Sequence, residues 1–200
     1  AGLVAKEQKN EKKAPPLLFN LAELQNTCSK LYKISPDQTL QIVQELYEKK
    51  LVTYPRTDAR VLSSAVAKEI TRNLKGLTRI SWTADFASEI LENGSYKGII
   101  KSKYTNDKLI TDHNAIIPTG QGGSALTGIS ALGKKVYETI VKRFLAIFYQ
   151  PAVYKKVTLT FQIGTEKFFA NFKVLAEEGY LKVSGTSGGG NRENNGTENN

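Results

Sequence analysis

The sequence predicts an α+β chain: a mainly helical, winged-helix-like domain followed by a β-hairpin or partial β-domain. Three observations carry that reading. Between Asn20 and Phe148 the apolar residues recur with the period of amphipathic helices. From Ala152 the period changes to two, and "VYKKVTLTFQI" and "EKFFANFKVL" flank Gly164–Thr165 as strands flank a hairpin turn. Near the front, two capped helices run into the short apolar stretch "LVTY", the helix–helix–strand order of a winged helix. The expected organisation is a linker over 1–16, the helical domain over 17–150, the partial β-domain over 151–183 and a disordered tail or linker over 184–200.

Each element has a local reason. "AKEQKNEKKAPP" is polar, charged and closed by two prolines, the composition of a linker. In "NLAELQNTCSKL", Asn20 caps a helix and Glu23 stands three residues on, with Leu21, Leu24, Cys28 and Leu31 on one face. "SPDQ" opens a second helix through a Ser35 cap, Pro36 at the first helical position and Gln38 closing a capping box. Leu40, Val43, Leu46 and Tyr47 form its predicted buried stripe, and it ends near Lys49–Lys50. Ser63 or Ser64 caps a third helix carrying Val66, Ile70 and Leu74. A fourth covers "WTADFASEIL", with Trp82, Phe86 and Ile90 facing the core. "TGQGGSALTG" is a loop without the phosphate-cradling pattern of nucleotide-binding proteins. The strongest helix is "SALGKKVYETIVKRFLAIF", which buries Val136, Ile140, Phe144 and Phe148 and turns Lys134, Lys135, Lys142 and Arg143 outward. A hairpin alone is too few strands for a stable sheet, so it needs partner strands from elsewhere or packing on the helices. "SGTSGGGNRENNGTENN" has almost nothing apolar to bury.

Composition narrows the function classes. Hydrophobic content of 40% and charged content of 24% suit an ordinary globular chain. No apolar run approaches a membrane span, and a single cysteine, Cys28, excludes an internal disulfide framework and points to a reducing, cytoplasmic setting. The chain neither begins with methionine nor contains one, so it is expected to be a piece of something longer. A formal charge of +9 favours a polyanionic partner, because each phosphate contact releases counterions.

Few residues are equipped for chemistry. One histidine, one cysteine and no Asp/Glu/His cluster at ligand spacing leave no metal site in this chain. What remains is Tyr54 with Arg56 in "LVTYPRTDAR", and His113 in "TDHNAIIPTG". A phenol with an ordinary pKa of about 10 attacks poorly at neutral pH unless positive charge stabilises its phenolate. A forked guanidinium two residues away serves that need and the charge gathered on phosphate oxygens. In an extended chain Tyr54 and Arg56 point to one side, and Pro55 stiffens the backbone between them. A buried tyrosine at a turn beside a surface arginine fits the same letters. His113 is likewise either a second donor to a phosphate or a structural histidine at the start of the buried run "AIIP".

"YPRTD" behind a helix, "DHNAIIPT" downstream and "LFNLAELQ" ahead of both together resemble the type IA DNA topoisomerases, the bacterial topoisomerase III branch above all. The resemblance covers about residues 15–183. It implies an ATP-independent isomerase in which Tyr54 attacks a single-stranded DNA phosphate, forms a 5′-phosphotyrosyl link, lets a strand pass and reseals the break. It implies that Arg56 stabilises the transition state and that His113 orients the scissile phosphate. Thr57 and Asp58 position the motif, and Arg60, Gln25, Thr57 and Thr119 lie against DNA. It further implies Mg²⁺ held by an acidic N-terminal domain that does not occur in these residues, with that domain and single-stranded DNA as partners. The hairpin then belongs to the family's arch. Family members often carry serine at Ala59 and a second histidine at Asn114. The chain by itself is expected to bind single-stranded DNA weakly and to cleave inefficiently. Rival readings are a non-catalytic winged-helix-like DNA-binding module, a protein-interaction scaffold, and a tyrosine recombinase, which the order of histidine, arginine and tyrosine disfavours.

Overall fold

A computed structural model describes residues 2–185. The chain divides into two units, Pro16–Tyr149 and Ala1–Pro15 with Gln150–Asn200. Helices and an antiparallel sheet coexist, so the fold class is α+β.

In the first unit, α1 (Leu21–Tyr32) starts where the Asn20 side chain accepts the Glu23 N–H at 2.8 Å. Leu24 and Cys28 are buried, whereas Leu31, expected on that face, is 59% exposed. α2 (Pro36–Glu48) opens with the full capping box: Ser35 and Gln38 exchange backbone-to-side-chain bonds at 3.2 and 2.9 Å. Its end is what delivers the next segment. Leu51 N–H donates to Leu46 C=O at 2.9 Å and Lys50 N–H to Tyr47 C=O at 2.8 Å. These are the paired bonds of a Schellman cap. Lys50 takes the left-handed φ of 63° usually left to glycine. The chain thereby reverses and enters residues 51–53 with Leu46 and Leu51 both fully buried.

α3 (Ser64–Lys68), capped by Ser63, and α4 (Ile70–Leu77) follow, separated by Glu69. α5 (Ser81–Asn93) ends at Gly94 in the left-handed region. Trp82, expected in the core, is 39% exposed at the start of α5. Short 3-10 turns cover Ser95–Lys101, Asp107–Leu109 and Gly123–Gly128, the last within the predicted glycine-rich loop. α6 (Ala131–Ala146) is capped by Ser130 and buries Val136, Tyr137, Ile140 and Phe144. Arg143 does not face outward as expected: its guanidinium lies 4.0 Å from the Phe19 ring centroid and donates to Leu17 C=O at 3.0 Å.

The second unit corrects the reading of the N-terminal residues. The stretch expected as a linker is β1 (Gly2–Lys13), antiparallel to β2 (Ala152–Ile163), which pairs in turn with β3 (Glu166–Glu177). The strand order is β1-β2-β3, so the hairpin finds its third strand within this chain. A lysine- and glutamate-rich strand holds its place through backbone bonds and through Glu11, which takes Lys173 at 2.9 Å and Lys156 at 3.4 Å. Those two ammonium groups, Lys173 first, keep the Glu11 carboxyl below its ordinary range. The register sets Leu3, Phe161 and Phe168 in one row. A short helix, α7 (Leu181–Ser184), closes on Gly185. The tail expected over 184–200 lies, from residue 186 on, outside the described residues.

Candidate active site

Residues 51–53 and 115–119 run side by side in opposite directions and fix the base of the site. Thr53 N–H donates to Ile117 C=O at 3.0 Å and Thr119 N–H to Leu51 C=O at 3.0 Å. The Thr53 hydroxyl donates to Ala115 C=O at 3.0 Å and accepts Ile117 N–H at 2.9 Å. Ala115, Ile116, Ile117 and Pro118 are buried, so the "AIIP" run is the buried extended segment its composition predicts. It carries His113 to one side of residue 54, while the end of α2 carries Tyr47 to the same ring.

Three rings meet there. The Tyr54 and His113 ring centroids lie 4.5 Å apart, tilted by 44°. Tyr47 meets Tyr54 edge-on at 5.3 Å and 76°. Tyr54 is half-buried and His113 exposed. Tyr47, expected in the buried stripe of α2, is 38% exposed and spends its inner side on Tyr54. Its position at the border of the stripe is a signal that sequence reading passed over.

The backbone after Tyr54 is not a plain strand. Thr57 N–H donates to Pro55 C=O at 3.0 Å, closing a tight turn centred on Arg56. The extended geometry that would set Tyr54 and Arg56 on one side is therefore replaced by a turn that puts Arg56 at its exposed tip. Among the described residues Arg56 makes no ion pair or side-chain hydrogen bond. Its guanidinium is exposed, at the turn that follows Tyr54 in the chain.

The four residues expected against DNA have internal duties. Thr57 is buried; its hydroxyl accepts Ala59 N–H at 3.1 Å and donates to His113 C=O at 3.4 Å. It ties the tyrosine segment to the histidine segment and offers nothing outward. Arg60 spends its fork on Leu18 C=O at 3.1 Å and Leu17 C=O at 3.4 Å. Gln25 donates to Pro36 C=O at 3.1 Å, joining α1 to the start of α2. The Thr119 hydroxyl donates to Lys50 C=O and accepts Gln121 N–H at 3.0 Å. Asp58 is exposed, with its carbonyl taken by Asn20. The Asn114 side chain accepts Ser63 N–H at 2.6 Å, a structural bond that a protonated imidazole cannot supply.

The donor set does not suit a bound cation. Among the described residues no group of three or more His, Cys, Asp or Glu is placed to hold a metal ion. Mg²⁺, which the sequence resemblance assigns to a domain outside these residues, has no fitting set of ligands among the described residues.

The Tyr54 phenol, half-exposed, thus meets the Tyr47 and His113 rings, and the turn that follows it in the chain carries the exposed Arg56. The family is shown by comparison. The family described as DNA topoisomerase matches residues 2–198, and the chain belongs to it, on its type IA side. DNA topoisomerase 3 of Bacillus subtilis (strain 168) is 38% identical over 185 residues, covering 90% of this chain and 24% of its own length. DNA topoisomerase 3 of Bacillus cereus (strain ATCC 14579) is 35% identical over 185 residues, covering 92% and 25%. Full-length topoisomerase I from Thermotoga maritima superposes with a TM-score of 0.64 at 26% identity, over 93% of this chain and 30% of that one. The chain thus spans about a quarter of the length of the curated relatives it matches. Among the described residues no helix is long and apolar enough to cross a membrane.

Proposed function

We propose that this chain carries the nucleophile of a type IA DNA topoisomerase and that Tyr54 is that nucleophile. The observation that supports it most is the Tyr54–His113 ring contact, formed by two motifs far apart in sequence, with Arg56 exposed at the neighbouring turn. In the proposed step the Tyr54 phenolic oxygen bonds to phosphorus of a single-stranded DNA phosphodiester. The bond from phosphorus to the 3′ oxygen breaks, that oxygen takes up a proton, and the phenolic proton passes to solvent. A 5′-phosphotyrosyl link and a free 3′-OH result, and the reverse reaction reseals the strand. Bond count and bond type are conserved, so no ATP is consumed. Arg56 supplies forked donors to the oxygens that gain charge, and His113 orients the phosphate from the other side of the ring. Strand passage and the change in DNA topology belong to the longer protein, with Mg²⁺ held by an acidic domain outside these residues.

The test combines this chain with the remainder of such a protein, Mg²⁺ and a labelled single-stranded oligonucleotide, and measures a covalent adduct. Tyr54→Phe abolishes it if the proposal holds; an adduct that survives ends the assignment. Arg56→Lys lowers the cleavage rate by on the order of 100-fold while changing binding little. Equal losses in both make Arg56 a phosphate anchor only. No adduct with an active remainder leaves a non-catalytic DNA-binding module.

A further inference from the structure

Away from Tyr54, α3 and α4 carry a stripe of cations. Lys68 ends α3, Arg72 and Lys75 lie on one face of α4, and Arg79 stands in the turn just past it, at successive steps of three or four residues. All four are exposed, and the Arg72 side chain is 82% so. The opposite face is core: Ile70, Leu74 and Leu77 are buried.

The stripe is hard to explain by folding. Arg72 and Lys75 are a like-charge pair three residues apart on α4, which opposes the helix, and Lys68 and Arg79 add like charge at its two ends. Two acids lie near. Glu69 takes Arg72 at 3.1 Å in an exposed pair, and Asp107, beside Lys68, is occupied by the Ser64 N–H at 2.8 Å and hydroxyl at 2.6 Å. Among the described residues Lys68, Lys75 and Arg79 have no ion pair.

The stripe is also held rigidly. Gly76 of α4 meets Gly120 backbone to backbone: a Cβ on Gly76 would stand 1.9 Å from Gly120 O, and one on Gly120 2.7 Å from Asn73 O. Asn73 donates to Pro118 C=O at 2.8 Å. Residues 118–120 in turn pair with the 51–53 segment that leads into Tyr54. The cations are thus registered to the tyrosine through backbone contacts.

We infer that the Lys68–Arg79 face is a docking surface for the phosphate backbone of duplex DNA, separate from the site at Tyr54. The eight residues of α4 span roughly 12 Å at helical rise, three to four steps of one DNA strand, and Lys68 and Arg79 extend the row at its ends. No aromatic ring lies between Ser64 and Arg79, and Trp82 stands past the end of the row at the start of α5, so the row itself offers no ring on which to stack unpaired bases. It reads charge and shape, as a surface for a stacked duplex does.

The test is equilibrium binding of the 200-residue chain to a duplex oligonucleotide, followed by the fluorescence of Trp82, the sole tryptophan, three residues past Arg79. Affinity is measured across a salt series. Two independent double variants, K68Q/R72Q and K75Q/R79Q, are compared with K134Q/K135Q on α6, which removes the same charge from exposed positions elsewhere. Each stripe pair lowers the salt slope by about 1.8, two contacts at about 0.9 each, and the α6 pair leaves it in place. Circular dichroism confirms that the helices persist in every variant. Equal effects from all three pairs, absence of duplex binding at low salt, or tighter binding of a single strand of equal length each overturn the proposal. The readout is binding alone, so a failed adduct assay at Tyr54 leaves this surface standing, and the reverse holds.

Discussion

At the scale of the residue, the site is a matter of who holds the Tyr54 ring. His113 covers one part of it and Tyr47 meets it edge-on. An edge-to-face pair contributes about 0.5–1.5 kcal/mol beyond its buried area. Tyr47→Ala is therefore expected to slow adduct formation about two- to tenfold in the complete protein, with single-strand affinity little changed. Tyr47→Phe, which keeps the ring, restores the rate; a loss equal to that of the alanine variant would mean the hydroxyl matters instead. Tyr54, Arg56 and His113 were legible as candidates through the resemblance of "YPRTD" and "DHNAIIPT" to a known family, whereas their spacing alone also fitted a tyrosine at a turn and a structural histidine. The duties of Thr57, Arg60, Gln25 and Thr119 were not. A donor's letter says that it will bond, and only the folded neighbourhood says whether the acceptor is a carbonyl or a ligand. Tyr47 escaped notice because a stripe of apolar letters does not mark which of its edges is covered by another ring.

At the scale of the element, the caps were the most readable feature, since Asn20, Ser35 and Ser63 each bond the third residue on as their spacing implies. Helix termini are local affairs, and local affairs are written locally. β1 is the counterexample. Its lysines, glutamates and glutamine carry no period-two signal, and it is a strand because β2 offers it a ladder from far along the chain. The contact of α4 with residues 118–120 is equally non-local, and it sets a sharp condition on Gly76. Gly76→Ala places a methyl group against the Gly120 backbone, where no flexible side chain can give way. We expect a destabilisation of about 1–3 kcal/mol, measured by urea unfolding, together with weaker protection of the amides around residue 119 in hydrogen exchange. An unchanged midpoint would mean that the loop moves aside at no cost.

At the scale of the whole molecule, the core contains groups that resist losing a proton. Burial pushes the Cys28 thiol from its ordinary 9.0 up to about 11 and the Tyr137 phenol from 10.0 up to about 12. Burial, then the hydrogen bond that Tyr149 donates to Glu89 at 2.7 Å, raises Tyr149 as well. Each native pKa lies above its unfolded value, so at high pH the unfolded chain holds fewer protons than the native one, and stability falls as pH rises. The contribution is complete below about pH 9 and is lost as pH climbs through about 11 to 12. Denaturation midpoints should decline over that window, and Tyr137→Phe should make the decline shallower; an identical slope would remove Tyr137 from the account. The α+β class was legible at this scale because the change of period at Ala152 is abrupt, while the third strand was hidden for the reason already given. That strand has a consequence in time. β2 and β3 are joined by a turn at Gly164 and can zip within microseconds. β1 must wait, because Lys13 meets Ala152 across roughly 140 residues, and closing so long a loop is entropically expensive until the intervening helices have condensed. During synthesis β1 emerges well before β2 and β3 and is thus the last of the three to be satisfied, and its run of lysines and glutamates is what keeps it soluble in the interval.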